Sequence, residues 1–199
     1  MRRSTLVTGF GMIVSVAFFL VASYRDDGMA AESFTLYRSQ QPQLPVSFEY
    51  PADWQVEDSS GTTEKYTQVQ VYGPPSLETR LRTYMVVRAV PPKAEGGRFA
   101  GLGEMVEEYQ KTLMPSLRID QAQETVVLDV LARRLDISGT LSLPWKSKDP
   151  HPVPVKSQRI FLEKDGRLYE LSWMATPEAS QEVERAFSHL LDTLAISSD

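Results

Sequence analysis

Short runs of alternating apolar and polar residues fill the chain from Phe34 onward. Phe34 to Tyr37 reads as a short strand. Val46-Ser-Phe48-Glu-Tyr50 alternates with period two, the mark of a half-buried strand. Pro51-Ala-Asp53 interrupts the pattern and Trp54-Gln-Val56 resumes it. A polar loop over 59–65 precedes a strand carrying Val69 and Val71, which Gly73-Pro74-Pro75 ends. Leu81 to Val90 is a long apolar strand. Leu102, Met105, Val106, Tyr109 and Leu113 then form one helical stripe, and Pro115 stops it.

The second half repeats the theme. Thr125–Val130 and Ala132–Leu143 read as strands joined by a tight turn. In the second of these, Arg133, Leu135, Ile137 and Leu141 share one face, while Arg134, Asp136, Ser138 and Thr140 share the other. Pro144 to Pro154 reads as a loop. Val155–Glu163 and Arg167–Met174 flank Lys164-Asp165-Gly166, a hairpin signal. A closing helix is predicted from Thr176 as N-cap, with Pro177 at its first position. Val183, Ala186, Phe187, Leu190 and Leu194 form its stripe. About seven strands and two amphipathic helices follow. Most connections carry no helix, which favours antiparallel pairing. The expected class is α+β: a central antiparallel sheet with helices packed on it.

A different pattern occupies the start. Arg2 and Arg3 precede an uncharged apolar run from about Leu6 to Ala22, followed by Arg25, Asp26, Asp27 and the small residues Ala30 and Ala31. This is an export signal: the positive end stays cytoplasmic and the rest crosses. Cleavage and retention as an anchor are both open at this length, with Gly9, Gly11 and Ser15 weakening the helix. The expected organisation is a signal peptide or membrane anchor over 1–31 and a single domain over 32–199. The domain is expected in a periplasm or lumen, secreted or anchored. Membrane contact is expected only through residues 5–22, if they are retained.

Composition narrows the function classes. The chain has 199 residues, 21 Lys+Arg against 26 Asp+Glu, a formal charge of -5 and no Cys. Mild acidity argues against nucleic-acid binding, which needs a basic face. The absence of Cys removes thiolate nucleophiles, Cys-ligated zinc and iron–sulfur clusters. It does not argue against export, because a domain of this size buries enough core without disulfides.

Catalytic templates fail one by one. The glycines over 96–103 lack the Gly-Lys-Ser/Thr ending of a phosphate loop, and no Gly-x-Ser-x-Gly elbow exists. Glu104, Glu107 and Glu108 read as the solvated back of a helix, with Glu107 and Lys111 at i, i+4. His189 is expected to face solvent. Asp149 and His151 are too few for a structural zinc site, and no cofactor or metal is expected. Trp54 and Trp173 sit in strand patterns and are expected in the core. Trp145 differs: it lies in the Pro-rich loop beside Lys146 and Lys148. Trp145, Lys146, Lys148 and His151 are therefore the candidate partner-binding residues, since such side chains dominate interface energetics. The alternative is that Trp145 folds back over the sheet edge.

Phe48-Glu-Tyr50-Pro51-Ala-Asp-Trp54 resembles the tyrosine-proline-x-x-tryptophan opening of PsbP-type proteins. The segments Arg133 to Thr140, Phe161 to Leu171 and Leu190 to Leu194 are similar too, so the likeness spans about Phe34 to Ile196. The resemblance implies an α/β/α sandwich, the PsbP-like fold shared with bacterial DcrB-type envelope proteins and a nuclear Ran-binding protein. It implies no shared active site. Its photosynthetic members are lumenal, extrinsic subunits of photosystem II. The leading expectation is an exported, non-enzymatic PsbP-like protein that binds a protein partner at the membrane surface and assists assembly or stability of a complex. The alternatives are an envelope enzyme or small-ligand binder, with a charged pocket near Arg133, Asp136 and Arg159, and a photosystem II accessory protein.

Overall fold

The computed structural model describes residues 33–197, except 62–65, 77, 80 and 145–147. The leader expected over 1–31, and Trp145 and Lys146, lie outside these residues. The chain order is β1 (Phe34–Arg38), β2 (Val46–Pro51), β3 (Gln55–Gly61), β4 (Tyr66–Pro75), β5 (Arg82–Val90), α1 (Leu102–Thr112), β6 (Leu117–Val127), β7 (Val130–Leu143), β8 (His151–Lys164), β9 (Arg167–Ala175), α2 (Ser180–Thr193) and β10 (Ala195–Ile196).

Seven strands form the main sheet in the order β3-β4-β5-β9-β8-β7-β6, every neighbour antiparallel. Two hairpins, β6–β7 and β8–β9, bring the chain back from the far edge to β5. Helix α1 supplies the long connection that carries β6 out to that edge. Strands β1, β2 and β10 form a separate small sheet.

Alternation along the strands divides the core in two. On one face Val69, Val71, Met85, Val87, Leu171 and Trp173 pack against α2 and Phe48 of β2. On the other face Leu135, Ile137, Leu141, Val153, Val155 and Phe161 pack under Met105 of α1. The fold is thus the expected α+β sandwich. The small sheet lies on the α2 side and was not anticipated as a separate layer.

Several boundaries differ from the sequence pattern, each for a physical reason. Strand β6 begins at Leu117, not Thr125. It is a mostly exposed edge strand, and a bulge between Ile119 and Gln121 breaks its alternation. Strand β8 begins at His151, inside the segment expected to be a loop. Pro152 and Pro154 share one phase and precede Lys156, where pairing with β9 begins, so their missing N–H groups meet no neighbouring strand. Helix α2 begins at Ser180. A turn comes first, in which the Ser180 N–H and hydroxyl both donate to the Pro177 carbonyl at 3.4 and 2.9 Å. Thr176 is not its cap; its side chain bonds the Glu178 carboxylate instead.

Candidate functional site

Helix α2 packs on β2, β5 and β9 and does not extend over the outer strands. The α2 side of β6, β7 and β8 is therefore uncovered. An open cleft of about 830 Å³ lies there, with these strands as its floor and α2 as its wall. The floor is the polar face that alternation assigns to β7 and β8. It carries Arg134, Asp136 and Ser138 from one strand and Lys156 and Gln158 from the other.

These groups are already organised. Arg134 grips Asp136 with two bonds, Nε to Oδ1 at 2.9 Å and Nη2 to Oδ2 at 3.1 Å. Gln158 donates to the same carboxylate at 2.9 Å. At the floor's edge Arg118 donates to Asp120 at 2.8 Å. The Ser138 hydroxyl, assisted by Arg118, holds the Asp120 carboxyl below the usual carboxylate range. Fixed rotamers of this kind reduce the ordering cost of binding.

The wall has the opposite sign. Glu184 and Asp192 stand on α2 with Ser188, Phe187 and Leu191 between them. Asp120 and Asp136 pair two of the floor's three cations, so the cleft opposes a floor with one net positive charge, at Lys156, to an acidic helix edge, with apolar surface between. Trp173 forms part of the floor, is only 4% exposed, and its indole Nε1 is buried without a hydrogen-bond partner. Leaving such a donor unpaired costs about 1–3 kcal/mol.

The end of the cleft is built from the β6–β7 turn. Leu128 and Asp129 both adopt left-handed conformations, with φ of 54° and 62°. For a leucine this is an unusual and strained geometry. It places Leu128 in the cleft lining and against the core. By the same alternation Val126 and Leu131, a cross-strand pair left 67% and 58% exposed, face the α1 side, because the adjacent pair Val127 and Val130 packs on the α2 side.

The residues singled out from the sequence fall elsewhere. Lys148 and His151 are exposed at the far end of the β7–β8 ribbon. His151 is in the Leu143↔His151 pair, five registers from Ser138↔Lys156 and about 17 Å along the strands, and Lys148 lies in the loop before it. Arg133, Asp136 and Arg159 do not share a pocket: alternation puts Asp136 on the α2 side and the two arginines on the α1 side. Trp54 and Trp173 are buried, as expected.

His189 is a correction. It is half-buried, stacks on Phe34 with ring centroids 3.7 Å apart, and lies 2.8 Å from Glu49 through Nε2. The small sheet covers the back of α2, which the helix's own periodicity does not reveal. The sequence signal for the cleft was the polar face of β7. What it lacked was any sign of whether a helix covers that face.

Glu104, Glu107 and Glu108 each have a separate partner. Glu104 accepts the Ala100 N–H at 2.6 Å and so closes the start of α1. Glu107 pairs with Lys111 at 2.7 Å, and Glu108 pairs with Arg98. Among the described residues no group of acidic and histidine side chains is arranged to hold a metal, and no helix is long and apolar enough to cross a membrane.

No protein-family model and no curated protein matches this sequence. Solved structures do share its architecture. PA94 of Pseudomonas aeruginosa, a protein of unknown function, is 17% identical over 83% of this chain and 99% of its own, with a TM-score of 0.50. The cyanobacterial PsbP (CyanoP) of Synechocystis sp. PCC 6803 is 12% identical over 85% of this chain and 96% of its own, with a TM-score of 0.51. LpqN of Mycobacterium tuberculosis, a protein involved in cell envelope biogenesis, is 13% identical over 83% and 91%, with a TM-score of 0.47. At these identities the likeness is one of fold, and the fold is an α+β sandwich resembling PsbP.

Proposed function

We propose that this protein is an extracytoplasmic, non-enzymatic PsbP-like protein that holds a protein partner at the membrane surface and assists assembly or stability of a complex. The observation that carries this reading is the uncovered α2 side of β6–β8. It is a wide cleft with a floor of one net positive charge, an acidic wall, a buried unpartnered indole N–H and Leu128 lining one end. Such a surface suits a folded or extended polypeptide better than a small substrate, because its recognition groups are spread over a long floor and open to solvent. The export pattern of residues 2–22 supports the compartment, and the fold likeness to a cyanobacterial PsbP agrees with it.

Site-specific photo-crosslinking in membranes tests this. A photoreactive residue replacing Ser188, exposed on the cleft wall, is compared with one replacing Gln110, exposed on α1. The expected result is one protein adduct from Ser188 and none from Gln110. Equal adducts from both, or none from Ser188 at native expression, overturns the reading.

A further inference from the structure

On the opposite side of the sheet lies a smaller and more enclosed cavity, about 190 Å³, between α1, the segment before it and strands β5, β8 and β9. We propose that it binds a small organic carboxylate, carried on a single aromatic ring or a short apolar chain. This goes beyond the partner-binding reading and uses none of the cleft residues.

The argument begins with one buried charge. Glu170 is 4% exposed in the middle of β9. Its two oxygens are taken by two arginines from the strands on either side. Arg88 Nη1 donates to Oε2 at 3.0 Å, and Arg159 Nη1 donates to Oε1. Arg88 also donates Nε and Nη2 to the Gln68 side-chain oxygen at 2.9 and 2.7 Å. Each guanidinium is roofed by a tyrosine ring, Arg88 by Tyr66 at 4.3 Å and Arg159 by Tyr109 at 4.5 Å.

The charges do not balance. Three arginines and two glutamates line the cavity. Arg98 and Glu108 pair with each other. Among the described residues Arg88 and Arg159 have only Glu170 between them, which leaves one positive charge in excess at the inner end. The faces of Tyr66 and Tyr109 offset part of this, but cation–π contacts are weaker than a carboxylate. Arg159 is also under-used as a donor: its Nε is buried with no partner. Burial alone would lower its guanidinium pKa. The Glu170 carboxylate, with Tyr109 and Tyr84, instead holds it above its ordinary value, so the charge is permanent.

A monoanion is the complement of that surplus. The rest of the lining specifies its body. Val90, Phe99, Met105 and Phe161 form apolar and aromatic walls. A ligand must therefore present an anionic end to the two arginines and a compact apolar end to these walls. The volume sets the upper size, because it falls below the usual range of about 300–1,000 Å³ for drug-sized ligands. A purely structural charge cluster would not require a cavity beside it.

NMR titration of the full-length chain tests the proposal with four probes: benzoate, hexanoate, the neutral isostere benzamide, and inorganic phosphate. Benzoate and hexanoate at millimolar concentration are expected to give saturable shifts centred on Arg88, Tyr109 and Arg159. Benzamide is expected to give none there. Thr112→Trp, an exposed lining position, fills the mouth without touching the ion pairs and is expected to abolish the response in a folded protein. Arg159→Lys keeps the charge, loses the planar donor fork, and is expected to weaken binding about tenfold. Absence of saturation with both carboxylates overturns the proposal, as do equal shifts with benzamide. Phosphate binding that gains nothing from an apolar body overturns the carboxylate assignment.

Discussion

Gly139 faces Ser116 so closely that no side chain fits between them. A Cβ on Gly139 would stand 2.2 Å from the Ser116 carbonyl oxygen, and the glycine has a φ of 154°, a conformation that L side chains rarely adopt. The same carbonyl accepts the Thr140 N–H at 3.1 Å, where the chain leaves α1 and enters β6. Gly139→Ala is therefore expected to destabilise by about 3 kcal/mol, through clash and backbone strain together. Gly103 on α1 is the contrast, since nothing lies within 4 Å of its added Cβ. Gly103→Ala is expected to stabilise by up to about 1 kcal/mol. Urea unfolding of both variants checks the pair, and a neutral Gly139→Ala would contradict the close approach.

Glu170 offers a second test, because burial decides what an ion pair is worth. Glu170→Gln leaves the guanidinium groups of Arg88 and Arg159 beside a neutral amide in a buried site. The expected loss is about 3–5 kcal/mol. Glu124 pairs with Arg133 at 2.9 Å, but both side chains are about half exposed. Glu124→Gln is expected to cost less than about 1 kcal/mol. Chemical unfolding that ranks the two variants equally would remove the special status of the Arg88–Glu170–Arg159 group.

Tyr37 supplies a pH-dependent tie between the two sheets. Its hydroxyl donates to Asp58 on β3. Burial first, then the hydrogen bond to Asp58, raises its phenol from 10.0 to about 12. The folded state thus favours the neutral phenol. Its contribution to stability is complete below pH 10 and is lost as pH rises toward 12. Spectrophotometric titration of phenolate is expected to lose its component near pH 12 in Tyr37→Phe. The variant's stability should also fall less steeply across that interval than the parent's.

The sequence made the two cores legible and hid what lies over them. Leu135, Ile137 and Leu141 announced their face because both neighbours of β7 are strands and one side is dry. Strand β6 did not, because an edge strand with a bulge at Ile119/Gln121 keeps neither phase nor burial. Pro152 and Pro154 looked like loop residues, since only the register shows that their open sides meet no partner. Glu170 carried a signal that alternation alone underuses. It stands among Leu168, Tyr169, Leu171 and Trp173, where both faces of β9 are buried, so an acidic residue there must be paired. Its partners Arg88 and Arg159 are 82 and 11 residues away. No local pattern joins them. The cleft was half visible: Arg134, Asp136 and Ser138 marked a polar face, but the width of α2's footprint depends on tertiary packing.

Charge reversal separates the parts of the proposed partner surface. Lys156 is exposed on the cleft floor, and Lys148 is exposed in the loop past the far end of the same ribbon, whose last pair is about 17 Å away. A standard interface of about 800 Å² per partner reaches both. A partner seated against the floor meets Lys156 near the centre of the contact and Lys148 at its rim. Rim charges act mainly on association rate and its salt dependence, whereas central charges also hold the bound state. Lys156→Glu is therefore expected to weaken binding about tenfold, close to 1.4 kcal/mol, through faster dissociation. Lys148→Glu is expected to slow association at low salt, with the difference vanishing as ionic strength rises. Kinetic binding to partner-containing membranes, with circular dichroism confirming intact folds, checks both. Equal, salt-independent losses from the two variants would mean that the cleft floor is not the centre of the contact.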